Sequence, residues 1–155
     1  MSGVLEAIWR KRAHGGPMDP LPEALLVAGV GLEGNADRGG LRQVTLIEAE
    51  TFETVSALLG RSVDPVARRA NLLVRGIDLV ETRGRILAVG ATRIRIHGET
   101  RPCGVMDAAV PGLRQALAES WRGGAFGEVL QGGSIRVGDR TFWVEGEPGS
   151  DANPS

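Results

Sequence analysis

The stretch that decides the fold of this chain reads Ile86-Leu87-Ala88-Val89-Gly90-Ala91-Thr92-Arg93-Ile94-Arg95-Ile96-His97. From Thr92 onward, apolar and polar residues alternate, which is the period-two pattern of a half-buried β-strand. The apolar run before it is also typical of a strand, and Gly90-Ala91 between the two predicts a tight turn. The stretch is therefore predicted to form a β-hairpin.

Several other short segments have the same character. A helix is predicted from Glu48 to Leu59, ended by Gly60, because apolar residues recur there at helical spacing. A second helix is predicted from Leu113 to Trp121. Further strands are predicted at Val4 to Arg12, Leu25 to Val30, Gln43 to Ile47, Asn71 to Val74, Ser134 to Val137 and Arg140 to Val144.

The order of these segments indicates a fold class. Strands and helices do not alternate as in βαβ units, so a mainly β protein is expected, an antiparallel barrel with a few inserted helices. Gly138-Asp139 predicts a second hairpin turn. The residues predicted to fill the core are Ile94, Ile96, Leu72, Val74, Val129, Ile135 and Val137.

Composition limits the possible classes of protein. The chain has 155 residues, 42% of them hydrophobic, which suits one globular domain over residues 1–145, with a disordered tail at 146–155. The net charge of −1 favours neither nucleic acid nor membrane as a partner. The N-terminus lacks the apolar core of a signal peptide and no stretch is long enough to span a membrane, so a cytoplasmic location is expected.

The single cysteine, Cys103, lies in Arg101-Pro102-Cys103-Gly104, just after the alternating strand. One cysteine excludes an intramolecular disulfide and a multi-cysteine zinc site. The thiolate is the nucleophile and the metal ligand, and a neighbouring positive charge such as that of Arg101 favours it. The alternative is a buried cysteine that serves as a small hydrophobe.

Two polar segments are further candidates for binding. In Arg68-Arg69-Ala70-Asn71, an extended chain would place Arg69 and Asn71 on one face, where a guanidinium and an amide suit a phosphate or the polar edge of a ring. A solvated strand end is the alternative. The segment Gly31-Leu32-Glu33-Gly34 is too sparse for a dinucleotide fingerprint, and it marks either tight backbone near a ligand or a simple turn.

His97 could in principle serve Cys103 as a base. A cysteine hydrolase needs the two side chains within hydrogen-bond reach, with a third group that orients the histidine. The loop between them gives no support for this arrangement, so a polar residue near a strand end is favoured, and no ester or amide hydrolysis is expected.

Taken in order, these segments resemble the MOSC domain, the family named after the C-terminal domain of molybdenum cofactor sulfurases, in a stand-alone bacterial-type form. The resemblance runs from about Met18 to Val144. It rests on Gly31-Leu32-Glu33-Gly34, Arg42-Gln43-Val44-Thr45-Leu46, Arg69-Ala70-Asn71-Leu72, Gly76-Ile77-Asp78-Leu79, Arg101-Pro102-Cys103, Arg122-Gly123-Gly124 and Ile135-Arg136-Val137-Gly138-Asp139.

The resemblance implies a β-barrel that binds the molybdenum cofactor, a pterin with a dithiolene and a phosphate. The family's cysteine corresponds to Cys103, which would carry sulfur as a persulfide or ligate molybdenum. The residues expected to contact the cofactor are Arg69, Asn71, Arg101, Gly34, Asp37 and Arg38.

One position departs from the family pattern. Family members commonly have aspartate after the second glycine of the first motif, where this chain has Asn35. Either Asp37 takes over after a small local shift, or a carboxylate role is lost. Apart from that, Asp37 and Arg38 could form a surface ion pair of little consequence.

The resemblance leaves three functions open. A sulfurtransferase-like protein would relay sulfur, from a donor such as a cysteine desulfurase, to a metal–sulfur cluster or a cofactor. A molybdenum-dependent oxidoreductase would reduce N-hydroxylated compounds with an electron-donor protein. A non-catalytic module would only hold the cofactor for a partner enzyme. The oligomeric state is left open.

Overall fold

Short strands make up most of the chain. The computed structural model describes residues 2–36, 39–100, 110–118 and 121–144, and every structural statement below concerns those residues. The predicted tail at 146–155 lies outside them. The strands are β1 (Ser2–Lys11), β2 (Met18–Leu21), β3 (Glu23–Val27), β4 (Gly31–Leu32), β5 (Val44–Glu48), β6 (Leu72–Arg75), β7 (Ile86–Val89), β8 (Thr92–Glu99), β9 (Ala125–Gln131), β10 (Gly133–Arg136) and β11 (Arg140–Trp143).

Seven of these strands close into a barrel, in the order β11-β7-β8-β9-β5-β6-β1. The ring closes because β1 pairs with β11, with Gly3 opposite Thr141. All of its pairs are antiparallel except β5 with β6, which run parallel. Strand β2 extends the sheet beyond β1, and β3, β4 and β10 form a separate small sheet. The predicted mainly β, barrel-like fold is confirmed.

The barrel interior contains the predicted apolar residues. Along β8 the alternation is retained, since Ile94 and Ile96 are fully buried while Arg93 and Arg95 are only partly buried. The other predicted core residues that are buried are Leu72, Val74, Val129 and Ile135. The prediction for Val137 is wrong: its side chain is 42% exposed, because β10 already ends at Arg136.

The hairpin predicted at Gly138-Asp139 is also wrong. The turn itself exists, and the Asp139 N–H donates to the carbonyl of Arg136 at 2.9 Å. However, β10 pairs with β3, whereas β11 pairs with β7 and β1, so the two strands enter different sheets. The two-residue motif determines that the chain reverses its direction there. It does not determine which strands the two flanking segments pair with.

Two helices cover one side of the barrel. The first, α1 (Ala49–Leu59), agrees with its prediction and ends at Gly60, whose backbone adopts the left-handed conformation. The second, α2 (Leu113–Ala116), is a single turn and much shorter than predicted. Together with the outer side of β5 and β6 they enclose a second apolar cluster, which includes Phe52, Val55, Leu73 and Leu113. None of the described helices has the length and apolar character needed to cross a membrane.

Candidate functional site

The segment before β6 turns sharply rather than running extended. Asp64 begins a short 3₁₀ helix (Pro65–Arg68), where its Oδ1 accepts the Val66 N–H at 3.0 Å. The helix ends at Arg69, whose φ of 63° and ψ of 37° are left-handed. The prediction that Arg69 and Asn71 share the face of an extended strand is therefore wrong in its geometry, although the two residues still border the same cavity.

That cavity, called the basic cavity below, lies where the end of β1, the start of β5 and the 3₁₀ helix meet. Its volume is about 80 Å³. A pocket for a drug-sized ligand is typically at least ~300 Å³, so the basic cavity suits a group the size of a phosphate rather than a whole pterin. The residues that line it are Lys11, Asn35, Arg42, Gln43, Val44, Thr45, Arg68, Arg69 and Asn71.

Positive charge dominates the basic cavity. Its lining includes four cationic side chains and, among the described residues, no carboxylate. Several of their contacts are with neutral groups: Arg69 Nη2 donates to the Gly16 carbonyl at 2.7 Å, and Arg42 stacks on the Phe126 ring at 4.9 Å. These contacts leave Arg69 and Arg42 able to attract anions, and guanidinium groups bind phosphate oxygens through strong charge-assisted hydrogen bonds.

Asn71 holds the wall of the basic cavity together. Its Oδ1 accepts from the N–H of Thr45 at 3.1 Å and from the Thr45 hydroxyl at 3.2 Å. Its Nδ2 donates to the Trp9 carbonyl and to Asn35 Oδ1, each at 3.2 Å. Both amide hydrogens therefore have partners inside the protein, and the side chain joins β1, β5 and the first glycine motif. Its predicted contact with a cofactor stays a prediction.

The first glycine motif brings Asn35 to this wall. Gly31 has a φ of 126°, and a Cβ there would lie 2.2 Å from the Gln43 carbonyl oxygen, so only glycine fits against β5. Gly34 has a φ of 80° and packs against Arg10, but it is not among the lining residues. Asn35, only 3% exposed, accepts the Lys11 backbone N–H at 2.7 Å through Oδ1. The oxygen of asparagine fills an acceptor position that an aspartate could also fill.

Four of the predicted site residues lie outside the described residues: Cys103, Arg101, Asp37 and Arg38. Thr100, which directly precedes Arg101 in the sequence, is 1% exposed. The Thr100 N–H donates to the Gly124 carbonyl at 2.9 Å, and its hydroxyl donates to the Gly123 carbonyl. The same Gly123 oxygen accepts Arg68 Nε at 2.7 Å.

Several residues of this site were not predicted from the sequence. Lys11, Arg42 and Arg68 line the basic cavity but were not predicted to bind the cofactor. Two of them carried a signal in the sequence. Lys11 is the only lysine of the chain, and Arg42 begins one of the segments that carry the family resemblance. Gly123 also lies in one of those segments, whereas Thr100 left no such signal, because its contact joins distant parts of the chain.

His97 is not one of the residues that line the basic cavity. Its Nε2 bonds to Glu128 Oε1 on β9 at 2.8 Å. The register between β8 and β9 shifts between Ile96 and Gly98, so His97 occupies a β-bulge. Among the described residues, no group of three or more histidines, cysteines and carboxylates is placed to hold a metal ion.

Comparisons with known proteins agree with this architecture. The model of the MOSC domain family matches residues 10–141. The crystal structure of the YuaD protein from Bacillus subtilis superimposes with a TM-score of 0.72 at 18% identity, covering 91% of this chain and 94% of YuaD. The crystal structure of YiiM from Escherichia coli gives a TM-score of 0.71 at 18% identity, covering 94% of this chain and 70% of YiiM. At that identity the two structures show a shared fold and no more. No curated protein sequence matches the chain.

Proposed function

The chain belongs to the MOSC domain family, and from that premise we propose that it binds the molybdenum cofactor, with the cofactor's phosphate in the basic cavity and Cys103 next to the metal. The observation that carries this proposal is the charge of the cavity. Four cationic side chains converge there from segments as far apart as Lys11 and Arg69, with no carboxylate among the described lining residues. A phosphate would accept charge-assisted hydrogen bonds from such side chains.

The size of the basic cavity limits what the described residues would hold. A volume of about 80 Å³ accommodates the phosphate end of the cofactor. The guanidinium groups of Arg42, Arg68 and Arg69 and the ammonium of Lys11 would be its donors. The pterin and the metal would then extend toward the segment that contains Arg101 and Cys103.

Chain connectivity supports that direction. Thr100 is anchored to the Gly123-Gly124 turn, and the same turn accepts Arg68 from the cavity wall. Cys103 follows Thr100 by three positions in the sequence, and a chain spans at most ~3.6 Å per residue, so covalent geometry limits how far it can be from the anchored Thr100. A soft thiolate at this position suits a transition metal, and when bound the cofactor would supply the redox and sulfur chemistry of molybdenum.

Two uses of Cys103 fit the site. As a metal ligand, its thiolate would hold the cofactor in a protein that reduces N-hydroxylated compounds with electrons from a donor protein. As a sulfur carrier, its thiolate would attack the terminal sulfur of a donor persulfide, such as that of a cysteine desulfurase. The donor thiolate would leave, and the new persulfide would pass its sulfur to an acceptor.

Metal and pterin analysis of protein purified from a host that makes the cofactor tests the proposal. We expect wild-type protein to carry both molybdenum and pterin. Loss of both in Cys103→Ala would assign Cys103 as a ligand, whereas their retention in that variant would favour sulfur transfer. Wild-type protein that carries neither, although the host loads its own molybdenum enzymes, would contradict cofactor binding.

A further inference from the structure

Three arginines lie close together on the outer side of β8 and β11. Arg93 and Arg95 alternate with fully buried isoleucines along β8, so their side chains point away from the barrel core. Arg140 begins β11, two residues before Phe142. The guanidinium groups of Arg93 and Arg140 both lie over the Phe142 ring, at 5.9 Å and 4.9 Å from its centre. These three arginines and Phe142 are called the arginine face below.

The strand between β8 and β11 explains how Arg93 reaches Phe142. On β7, Ala88 pairs with Phe142 on one side and with Arg93 on the other, so the three residues form one row across the sheet. Its neighbours Leu87 and Val89 belong to the barrel core, so Ala88 points outward, although it is fully buried. A side chain as small as alanine leaves room for a guanidinium and an aromatic ring to meet above β7.

Within the part of the chain that the structure describes, no ion pair neutralises the three arginines. Arg93 Nη1 donates to the Thr92 carbonyl at 3.1 Å, and Arg95 Nη1 donates to the Gly84 carbonyl at 2.9 Å. Arg140 has its ring contact with the aromatic side chain of the face. Since a guanidinium carries five N–H donors, most of the donors of the arginine face remain available for another molecule.

Two carboxylates border the arginine face, and both bond to other groups. Glu128 lies opposite Arg95 on β9, where its Oε1 bonds to His97 Nε2 at 2.8 Å. Asp139 lies in the turn before β11, and its Oδ2 accepts the Arg136 backbone N–H at 2.9 Å. The donors of the arginine face therefore fit carboxylates that come from outside.

A cleft of about 370 Å³ adjoins the arginine face near the start of β7. Arg95 connects the two, because the carbonyl that it binds directly precedes Arg85, which lines the cleft. Arg85 lies over the Trp143 ring at 4.4 Å, and Val80 on the cleft wall is 43% exposed. One carboxylate also lines the cleft, that of Asp78, whose Oδ1 accepts the Val80 N–H at 3.0 Å. The cleft is large enough to receive an apolar side chain.

From this arrangement we propose that the arginine face and the adjoining cleft form a docking surface for an acidic segment of a partner protein. Carboxylates of the partner bind the guanidinium groups, and one apolar side chain enters the cleft against Val80 and Trp143. Arginine and aromatic residues are the types enriched at protein interfaces, where an anchor in a pocket contributes most of the affinity. None of these residues lines the basic cavity, so the proposal does not depend on cofactor binding.

The ring contacts favour a protein over single-stranded nucleic acid. Nucleic acid of that kind binds by stacking its bases on aromatic rings. Here the rings of Phe142 and Trp143 are already in contact with guanidinium groups. A second copy of the same face would be repelled by its own positive charge, so the partner is a different surface that carries carboxylates.

A glutamate-rich peptide with one central leucine is the probe for this surface. Its binding to the full chain is followed by fluorescence anisotropy. Two matched peptides carry glutamine in place of glutamate, or glycine in place of the leucine. We expect the glutamate peptide to bind, the glutamine peptide not to bind, and added salt to weaken binding, because exposed charges are screened.

Substitutions then locate the peptide. Arg93→Gln and Arg140→Gln should each weaken binding about threefold, which is the range of exposed ion pairs. Arg61→Gln is the matched control, since Arg61 follows α1 and donates to the Pro111 carbonyl, and it should leave binding unchanged. Val80→Ser should remove the advantage of the leucine peptide over the glycine peptide.

Four results would overturn the proposal. The first is a wild-type protein that does not bind the glutamate peptide at low salt. The second is an equal loss in Arg61→Gln, which would mean that the peptide responds only to net charge. The third is a loss in Arg69→Gln, which would place the peptide in the basic cavity. The fourth is tighter binding of oligothymidylate that is weakened by Arg93→Gln and Arg140→Gln, which would assign the face to nucleic acid.

Discussion

Asn71 donates a side-chain hydrogen bond to Asn35 Oδ1 across 3.2 Å, which joins two motifs 36 residues apart in the sequence. Both side chains are at least 95% buried, and both line the basic cavity. The direction of the bond gives the two asparagines different roles. In this bond Asn71 supplies the donor and Asn35 the acceptor, and the Oδ1 of Asn71 itself accepts from the Thr45 N–H.

The first prediction uses that difference. Asn71→Asp loses the donor to the Trp9 carbonyl and to Asn35, and it leaves buried oxygens facing one another. We expect a cost of about 3 kcal/mol in the free energy of unfolding, measured with urea, because each unsatisfied buried polar group costs ~1–3 kcal/mol. Asn35→Asp keeps the Oδ1 acceptor for Lys11 and Asn71. An Asn71→Asp variant that unfolds at the wild-type urea concentration would contradict the donor role of Asn71.

Asn35→Asp should nevertheless impair anion binding. The change adds a negative charge to a cavity whose described lining has four cationic side chains and no carboxylate. At an effective dielectric constant of ~20, one charge several ångströms away alters binding by more than about 1.4 kcal/mol, which is tenfold. We expect the phosphate dissociation constant to rise at least about tenfold in calorimetry. Unchanged affinity would place the anion elsewhere.

A matched pair of arginine substitutions locates the anion site. Arg69→Gln removes a cavity charge, and we expect it to weaken phosphate binding about tenfold and to reduce the sensitivity of binding to salt. Arg136→Gln removes an arginine that is 72% exposed and pairs with Glu23 on the small sheet, so binding should not change. If both substitutions weaken binding equally, phosphate responds to the overall charge of the protein rather than to the cavity.

Gly31 and Gly29 allow a similar comparison for the first glycine motif. Both have positive φ, but a Cβ at Gly31 would lie 2.2 Å from the Gln43 carbonyl oxygen, while a Cβ at Gly29 would have no neighbour within 4 Å. Gly29→Ala should lower the free energy of unfolding only by the ~1–2 kcal/mol that a left-handed backbone costs a residue with a Cβ. Gly31→Ala should lower the free energy of unfolding, measured with urea, by at least twice as much. The reason is that the Gln43 carbonyl at the start of β5 must also move. A smaller loss for Gly31→Ala would show that the motif tolerates a side chain against β5.

Glu48 should make stability depend on pH. Burial raises the pKa of this carboxyl, and the nearby Asp78 and Glu50 raise it further, against a bond from the Leu79 N–H at 2.9 Å. Between the ordinary pKa of 4.5 and the raised value, the folded state holds the proton more tightly than the unfolded state, so stability falls as pH rises. Glu48→Gln keeps an acceptor for Leu79 and should gain stability relative to wild type across that window. Glu33→Gln, at an exposed carboxylate, is the control in urea titrations from pH 4 to pH 8.

Local pattern was enough to predict the elements whose structure depends on neighbours in sequence. The alternation of Thr92 to His97 and the helical spacing before Gly60 both gave the observed strand and helix, because burial on one face imposes a fixed period on the sequence. The order of the family's motifs also gave the barrel. Arg69 and Asn71 border the same cavity, although the backbone that brings them together is a left-handed turn and not the expected extended strand.

Strand pairing and the contacts between distant side chains depend on the whole fold. The turn at Gly138-Asp139 looks the same whether its arms pair with each other or with β3 and β7, since hydrogen bonds to a distant strand leave no local pattern. The basic cavity likewise gathers Lys11, Asn35, Arg42 and Arg68 through the closure of the barrel. The sequence by itself determines the chemistry of these side chains. Their proximity is determined by the fold, because the closed sheet brings together residues that no single segment of the sequence contains.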